Sequence, residues 1–422
     1  MRIHKYQYGF YFCLLLLGNI YNAYPQFPIT EDISHQEYFL SLNSQLDVNS
    51  TGLTNHFVSS IYKGKYISDN LKKNTESFLN TNYNLSGYQF NTSVFLNIPG
   101  NKYDINYFIG FENHNFLELT FNKYLFQLVL YGNKDFAGKY VPLGNFLYKN
   151  LNFQQLKAGF YKTWRGQDAI QRIMGGLGYC NGQSLMQFSL PKANFFTHPN
   201  AEELTLDMYL EMKRSDTLDS RFGAENGSGI CLDAGYFYQD KSNVFELRLN
   251  NFGFIRWNRK SHSYIKDTLI NFEGFEIQNI FIIDSSTLAG LGIDTILNEY
   301  AYAKATAPFT EMIPMSFNFT YKRYFLRNLL SVTLHYNQYF FLRYSPLFKI
   351  TPAVHLPCKS SYVVVYADFQ YGGHGRFNCG LGVSARINKG FYFDVRSSYV
   401  NSYLSPKNSA GLGGYISLIK TL

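Results

Sequence analysis

Charge is scarce in this chain. Only 16% of its 422 residues are Asp, Glu, Lys or Arg, against about 25% in a typical soluble domain. Long apolar runs are missing as well: beyond residue 23 nothing approaches the ~18 consecutive apolar residues that a spanning helix needs. The most apolar later windows, Tyr124 to Tyr131 and Tyr362 to Phe369, are only strand-sized. The missing runs exclude spanning helices beyond residue 23. Cysteine is sparse: Cys180, Cys231, Cys358 and Cys379 follow Cys13 with no CxxC and no metal-ligand spacing. They read as small buried hydrophobes, with a disulfide in an oxidising compartment as the alternative. Basic residues come in short pairs such as Lys72-Lys73 and Lys322-Arg323, and no polybasic run interleaved with aromatics calls for nucleic acid. HExxH, GxSxG and P-loop patterns are absent, and no cofactor or metal is expected.

What the chain has is alternation. Phe377, Cys379, Leu381, Val383, Ala385 and Ile387 are apolar at every second position, with Asn378, Gly380, Gly382, Ser384, Arg386 and Asn388 between them. A strand sends successive side chains to opposite faces, so this segment has one apolar and one polar or small face. The same pattern recurs along most of the chain. Tyr88 to Ile98 and Tyr103 to Glu112 alternate on both sides of a Pro99-Gly100-Asn101 turn, which predicts a hairpin. Further strands are predicted at Asn115–Asn122, Leu125–Tyr131, Leu151–Lys162, Arg172–Tyr179, Ser184–Leu190, Leu204–Lys213, Ile230–Gln239 and Val244–Trp257. Others follow near Met315–Lys322, Leu330–Asn337, Ser361–Tyr371, Arg376–Asn388, Phe391–Tyr399 and Gly411–Leu422.

The first 23 residues read as a signal peptide, residues 1–23, with Arg2, His4 and Lys5 before an apolar core from Phe10 to Leu17 and Ala23 at the cleavage position. An uncleaved anchor is the alternative. Without Arg2 and Lys5 the net charge of +8 becomes +6, a mild balance that suits anionic headgroups without requiring them. Tyr 36 and Phe 39 make a heavy aromatic load, and a tyrosine suits a membrane interface because its ring is apolar and its hydroxyl stays wet. An exported chain of alternating strands satisfies its backbone in a bilayer only as a closed barrel. The expected fold is therefore all-β: a transmembrane antiparallel β-barrel of about 14 strands in an outer membrane, with outer-membrane lipid as its surroundings. A soluble sandwich or a solenoid is the competing fold, and no repeat of fixed length supports the solenoid.

Residues 24–82, with Pro25, Pro28 and a helix predicted over Ser68–Leu79, are expected to form a short amino-terminal plug-like segment. The barrel is expected over 83–422, with an irregular insertion at about 258–302 and a helix within Asp284–Leu297. On the polar faces, Asp104, Glu112, Asp207, Glu211, Lys213, Lys322, Arg386, Asp394 and Arg396 are candidates to line the lumen. Charges cost little there, whereas Arg or Lys on the lipid face costs about 2–4 kcal/mol near the midplane. No catalytic constellation is expected. Ser331 and His335 share a face, but four strand positions separate them by about 13 Å.

The leader, the short amino-terminal segment, the amphipathic strands and the central insertion resemble the FadL-like outer-membrane barrels, a group that includes the fatty-acid channel FadL and the type IX secretion accessory PorV. The block from Gly227 through Gly229 to Gly235, followed by Asn250 through Gly253 and Arg256 to Trp257, is similar to an uncharacterised family of such barrels. In that family a glycine-flanked strand precedes a segment ending in Trp. The glycines allow tight backbone geometry at a strand entrance, and Arg256 beside Trp257 is expected to anchor a strand end at the interface. The Asn-Pro-Ala motif of FadL-type amino termini is missing, and His198-Pro-Asn-Ala201 is displaced, so the plug's gating role does not transfer. The resemblance implies a passive channel for small molecules, hydrophobic ones among them. The alternative is a non-catalytic accessory that holds a protein partner in a surface or secretion complex.

Overall fold

A computed structural model describes residues 38–100, 104–200, 203–216, 222–272, 305–357, 361–387 and 390–422. The expected signal peptide, Cys358 and the helix expected within Asp284–Leu297 lie outside these residues. The strands are β1 (Phe39–Ser50), β2 (Asn84–Ile98), β3 (Ile105–Phe121), β4 (Tyr140–Pro142), β5 (Phe146–Arg165), β6 (Ile170–Thr197) and β7 (Leu204–Arg214). They continue as β8 (Gly227–Gln239), β9 (Asn243–Trp257), β10 (His262–Phe272), β11 (Ala305–Thr306), β12 (Thr310–Met312) and β13 (Met315–Phe325). The last six are β14 (Leu330–Phe340), β15 (Ser345–Pro357), β16 (Ser361–Gly373), β17 (Asn378–Ile387), β18 (Phe391–Ser397) and β19 (Leu412–Thr421). Helices α1 (Asn55–Tyr62), α2 (Asp69–Glu76), α3 (Lys123–Tyr131) and α4 (Val400–Leu404) lie in the connections.

The sheet closes on itself. β1 pairs antiparallel with β19 on one side, Leu42 opposite Leu418, and with β2 on the other, Leu42 opposite Val94. The result is a closed antiparallel barrel of 14 strands. Its outer wall is apolar: Leu156, Leu177, Ile230, Phe348, Ile350, Val365 and Leu381 are all exposed and alternate with buried inward neighbours. That is the surface a hydrocarbon solvent requires.

One side of the wall is tall. β6 has 28 residues, about 90 Å of extended chain, and its two halves meet different partners. Gly182 pairs with Gly227 of β8, while Met186 pairs with Arg214 of β7. β7 and β8 run in one line, as do β9 and β10, so this pair of interrupted strands rises beyond the rim. A hydrocarbon core needs only about 9–11 residues per strand, so the wall projects well clear of it at this end. The same end carries α1, α2, α3, α4 and β4. The opposite end carries both ends of the described chain, Phe39 opposite Thr421, and short turns such as Asp240–Ser242.

Several expectations are corrected here. Residues 39–50 belong to the barrel wall, since their alternating Phe39, Ser41, Asn43 and Gln45 bury inward between β19 and β2. The expected boundary at 82 therefore moves to 39, and α1 and α2 are a rim connection between β1 and β2. Tyr103–Glu112 and Asn115–Asn122 form the single strand β3, and Arg172–Tyr179 and Ser184–Leu190 form the single strand β6. The strand expected at Leu125–Tyr131 is helix α3. Asn122 caps it by accepting from the Leu125 N–H at 2.8 Å, and Phe126 buries against Phe57 of α1 with ring centroids 5.5 Å apart. A short apolar run suits either helix or strand, and here the cap and the packing decide. Within the expected irregular insertion, His262–Phe272 is strand β10, paired along β7.

Candidate functional site

The barrel interior is filled. The inward residues form three successive layers. At the tall end, Phe116 of β3, Phe153 of β5, Leu185 of β6, Ile255 and Trp257 of β9, and Tyr339 of β14 form an apolar cluster. Phe116 and Tyr339 stand on walls far apart in strand order, yet their rings meet edge to face at 5.9 Å. The Glu118 carboxylate of β3 likewise accepts from the backbone N–H of Arg343, in the β14–β15 corner. His374, from the β16–β17 corner, lies so close to Gly87 of β2 that a methyl there would sit 2.2 Å from its ring. These contacts cross the lumen. Opposing walls touch, and each short corner folds inward over the mouth.

Below the apolar layer lies an ionic one. The Lys157 ammonium of β5 uses its three donors on Asp233 of β8 at 2.8 Å, Glu112 of β3 at 3.2 Å and the side-chain Oδ1 of Asn251 of β9 at 2.7 Å. Lys157 and Glu112 are each 3% exposed. His114 extends the chain: its Nε2 lies 2.8 Å from Glu112 and 3.0 Å from Gln155, and its Nδ1 lies 2.9 Å from Asn91. The Gln155 amide reaches the sulfurs of Cys231 and Cys180 at 3.2 and 3.5 Å, and both thiols are free and buried. Buried charges of this kind persist only when each is paired and hydrogen-bonded. Further toward the short-turn end, Arg396 stacks over Tyr415 at 4.9 Å, Tyr366 donates to Asp394, and Asp368 accepts from Thr351 at 2.6 Å and Ser398 at 3.1 Å.

The predicted residues scatter over these layers. Glu112 sits in the ionic layer, and Asp394 and Arg396 in the layer below it. Lys213 is joined through Glu311, at 2.9 Å, to Lys149, at 2.7 Å, on the inner face near the rim. Glu211 pairs across with Ser189 on the tall wall. Lys322 lies over the Tyr324 ring at 4.5 Å, and Arg386 pairs with Tyr362 and Tyr392 near the short-turn end. Two placements are corrections. Asp104 is an exposed turn residue with φ 52, because β3 begins only at Ile105. Asp207 stands on the projecting wall, half-exposed beside Lys192 at 3.6 Å, rather than in the lumen.

The glycine block is explained by one side chain and one close backbone pairing. Trp257 is completely buried in the apolar layer, a correction to its expected place at the membrane interface. Its ring packs against Gly182 and Gly227, where an added methyl would come within 3.0 and 3.1 Å of it. Gly229 and Gly253 bring the backbones of β8 and β9 together: a methyl on Gly229 would meet the Phe254 carbonyl oxygen at 1.8 Å. Arg256 points outward and is exposed beside Phe254. Sequence reading missed Lys157, Asp233, His114 and Glu118. The available signal was that each falls on the inward face of its strand.

Outside the membrane-spanning strands, Glu76 of α2 ties the rim helices together. Burial alone would raise its pKa, but hydrogen bonds from Gln127 and Tyr131 at 2.7 and 2.9 Å, with Lys123 at 3.2 Å, outweigh that and hold the carboxyl below its usual range. The Tyr131 phenol is pushed up to about 12 by burial and by this carboxylate.

Residues 34–393 match the model of DUF5723, a family of unknown function. The chain belongs to that family. No characterised protein matches its sequence. Among solved structures, this DUF5723 member is similar to a TodX monoaromatic hydrocarbon channel carrying a ΔS2S3 deletion (TM-score 0.46, 8% identity, 96% of each chain covered). It is also similar to a FadL homologue from Pseudomonas aeruginosa, with a TM-score of 0.40 and 10% identity over 91% of this chain and 90% of that one. The translocator domain of the autotransporter NalP from Neisseria meningitidis gives 0.29 and 6%, over 92% and 88%. The FadL homologue is of the group the sequence resembles. These likenesses concern the barrel fold alone.

Proposed function

We propose that this protein is a gated outer-membrane transporter for small molecules with an apolar body, held shut in the state described here. Its tall end faces the cell exterior, because barrels of this kind place short turns and chain ends in the periplasm and long connections outside. One observation carries the reading: the outer half of the lumen is lined by aromatic and aliphatic side chains, where a standing aqueous pore would be polar. Trp257 adds a handle. Its buried Nε1 has no hydrogen-bond partner among the described residues, and an apolar ligand with one acceptor atom would satisfy it. No step in this reading is catalytic.

Tryptophan emission tests it. The chain has two tryptophans, and Trp164 is exposed on the outer wall, so Trp164→Phe leaves Trp257 as the only reporter. Aromatic hydrocarbons or fatty acids added to the purified barrel should shift or quench that emission saturably. In planar bilayers the wild type should be nearly silent, and Phe116→Ala with Tyr339→Ala should conduct. A second reading, a non-conducting scaffold in a surface or secretion complex, is favoured by the paired charges of Lys157, Glu112 and Asp233 beneath the aromatics. Unmoved emission together with a silent double variant would decide for the scaffold.

A further inference from the structure

The mouth at the tall end is covered by two corners that are built differently. The β16–β17 corner is fixed. Gly372, Gly373, His374 and Gly375 are all buried. The Gly375 N–H donates to the Gly372 carbonyl at 3.2 Å, and the neighbouring Arg376 donates to the Phe78 carbonyl. The β14–β15 corner is a short bridge between anchored strands. Phe340 is still paired with Met315 of β13, and Ser345 is already paired with Gly373 of β16. Between them, residues 341–344 stand off the sheet. Phe341 and Arg343 are exposed, while Leu342 and Tyr344 are half-buried and pack on the apolar cluster. The Tyr344 ring lies 5.0 Å from that of Tyr339 and 4.9 Å from that of His374. The bend at Phe341 is left-handed, with φ 65°, a conformation that costs an aromatic residue free energy.

A carboxylate holds this bridge down. Glu118, on the opposite wall, accepts from the Arg343 backbone N–H. Glu118 is 1% exposed, and among the described residues it has no ion pair: its cross-strand neighbour Lys149 lies 2.7 Å from Glu311 instead. Its Oε2 has no hydrogen-bond partner among those residues either. Burying a carboxylate this way is costly, and an apolar side chain would suit the adjoining cluster better. What Glu118 supplies, and an apolar residue would not, is the bond to the corner.

We infer that residues 341–344 are the moving gate of this lumen and that Glu118 is the latch that holds them shut. With that bond broken, the bridge swings about its anchored ends and lifts Leu342 and Tyr344 off the cluster that contains Phe116 and Trp257. The freed Arg343 N–H then bonds to water, so a charged acceptor is needed to compete for it. The β14 and β15 ladders stay paired throughout, which makes the opening local.

The inference rests on the reading of a closed lumen, and the test separates the two. A Leu342→Cys thiol reports opening through its rate of reaction with a water-soluble maleimide, measured against protein without that substitution. In this background Glu118→Gln keeps the shape of the latch and exchanges a charged acceptor for a neutral one, so the rate should rise about tenfold. Phe341→Asn fits the left-handed bend better and stabilises the shut state; the rate should fall about threefold, whereas damage to the fold would raise it. A rate that Glu118→Gln fails to raise, or that Phe341→Asn fails to lower, overturns the gate. Heat-modifiable gel migration checks folding, and if Glu118→Gln does not fold, Phe341→Asn alone decides. An aromatic hydrocarbon that shifts Trp257 emission while both variants leave the labelling rate unmoved keeps the transport reading and overturns this gate. Labelling that follows both variants while Trp257 emission never responds keeps the gate and overturns transport.

Discussion

Replacing Lys157 by Met tests whether the ionic layer holds the lumen together. The ammonium meets two carboxylates and one amide carbonyl at 2.7–3.2 Å, with almost no solvent access. Methionine matches its volume and removes its charge. Glu112, left with His114, and Asp233, left with the Asn251 N–H, would then be buried carboxylates with no ammonium between them. Removing one partner of a buried ion pair costs about 3–5 kcal/mol, most of it from the charge left behind. Water entering the layer would relieve part of that cost, so the folded variant should also leak cations. Urea unfolding in detergent, followed by loss of heat-modifiable migration, measures the first effect, and bilayer conductance measures the second. The triple variant Lys157→Met, Glu112→Gln, Asp233→Asn leaves no orphaned charge and should recover most of the stability. A single variant within about 1 kcal/mol of wild type, the scale of an exposed pair, would refute the view that this layer is dry. So would a triple variant no better than the single one.

Three further outcomes follow from named contacts. Gly227→Ala places a methyl 2.8 Å from Ile255 and 3.1 Å from Trp257; overpacking of this order costs about 1–3 kcal/mol, and the unfolding midpoint should fall as Trp257 emission moves to the red. Asn122→Ala removes the cap of α3 and the bonds from its amide to the Pro142 and Gly144 carbonyls at 2.8 and 3.2 Å; a cap is worth about 1 kcal/mol, and hydrogen exchange over residues 123–131 should quicken while the barrel strands stay protected. Glu76 has a folded-state pKa below its unfolded value, so its contribution is present above the unfolded pKa and is lost as pH falls through the folded one. Acid should therefore make α2 and α3 accessible to protease first, and Glu76→Gln should abolish that pH dependence.

Much of this architecture was legible from period alone. Leu330, Val332 and Leu334 against Ser331, Thr333 and His335 state which side of β14 meets lipid, because the two faces of a strand see different solvents. The same rule identified Glu112, Asp394 and Arg396 as inward before any partner was visible. It failed where length mattered more than alternation. β1 lies within residues 24–82, where Pro25, Pro28, polar stretches and the helix over Ser68–Leu79 suggest a plug, and Leu125–Tyr131 reads as a strand because its six apolar residues fit either period. Trp257 was misplaced because a tryptophan at a strand end serves equally at an interface or in a core; only the bare Gly182 and Gly227 beneath it, 45 positions apart in the chain, settle the matter.

The order of apolar and polar residues thus determined, unaided, that this chain makes strands, that one face of each is fit for lipid, and that the sheet has to close. Tertiary structure decided what the inside is. Closure brings Phe116 to Tyr339, Glu118 to Arg343, and Lys157 to Asp233 and Asn251, pairs that no local pattern links because their separation is set by strand order and shear. Whether inward side chains line water or touch each other depends on the distance between opposite walls, and that distance exists only once the sheet has closed.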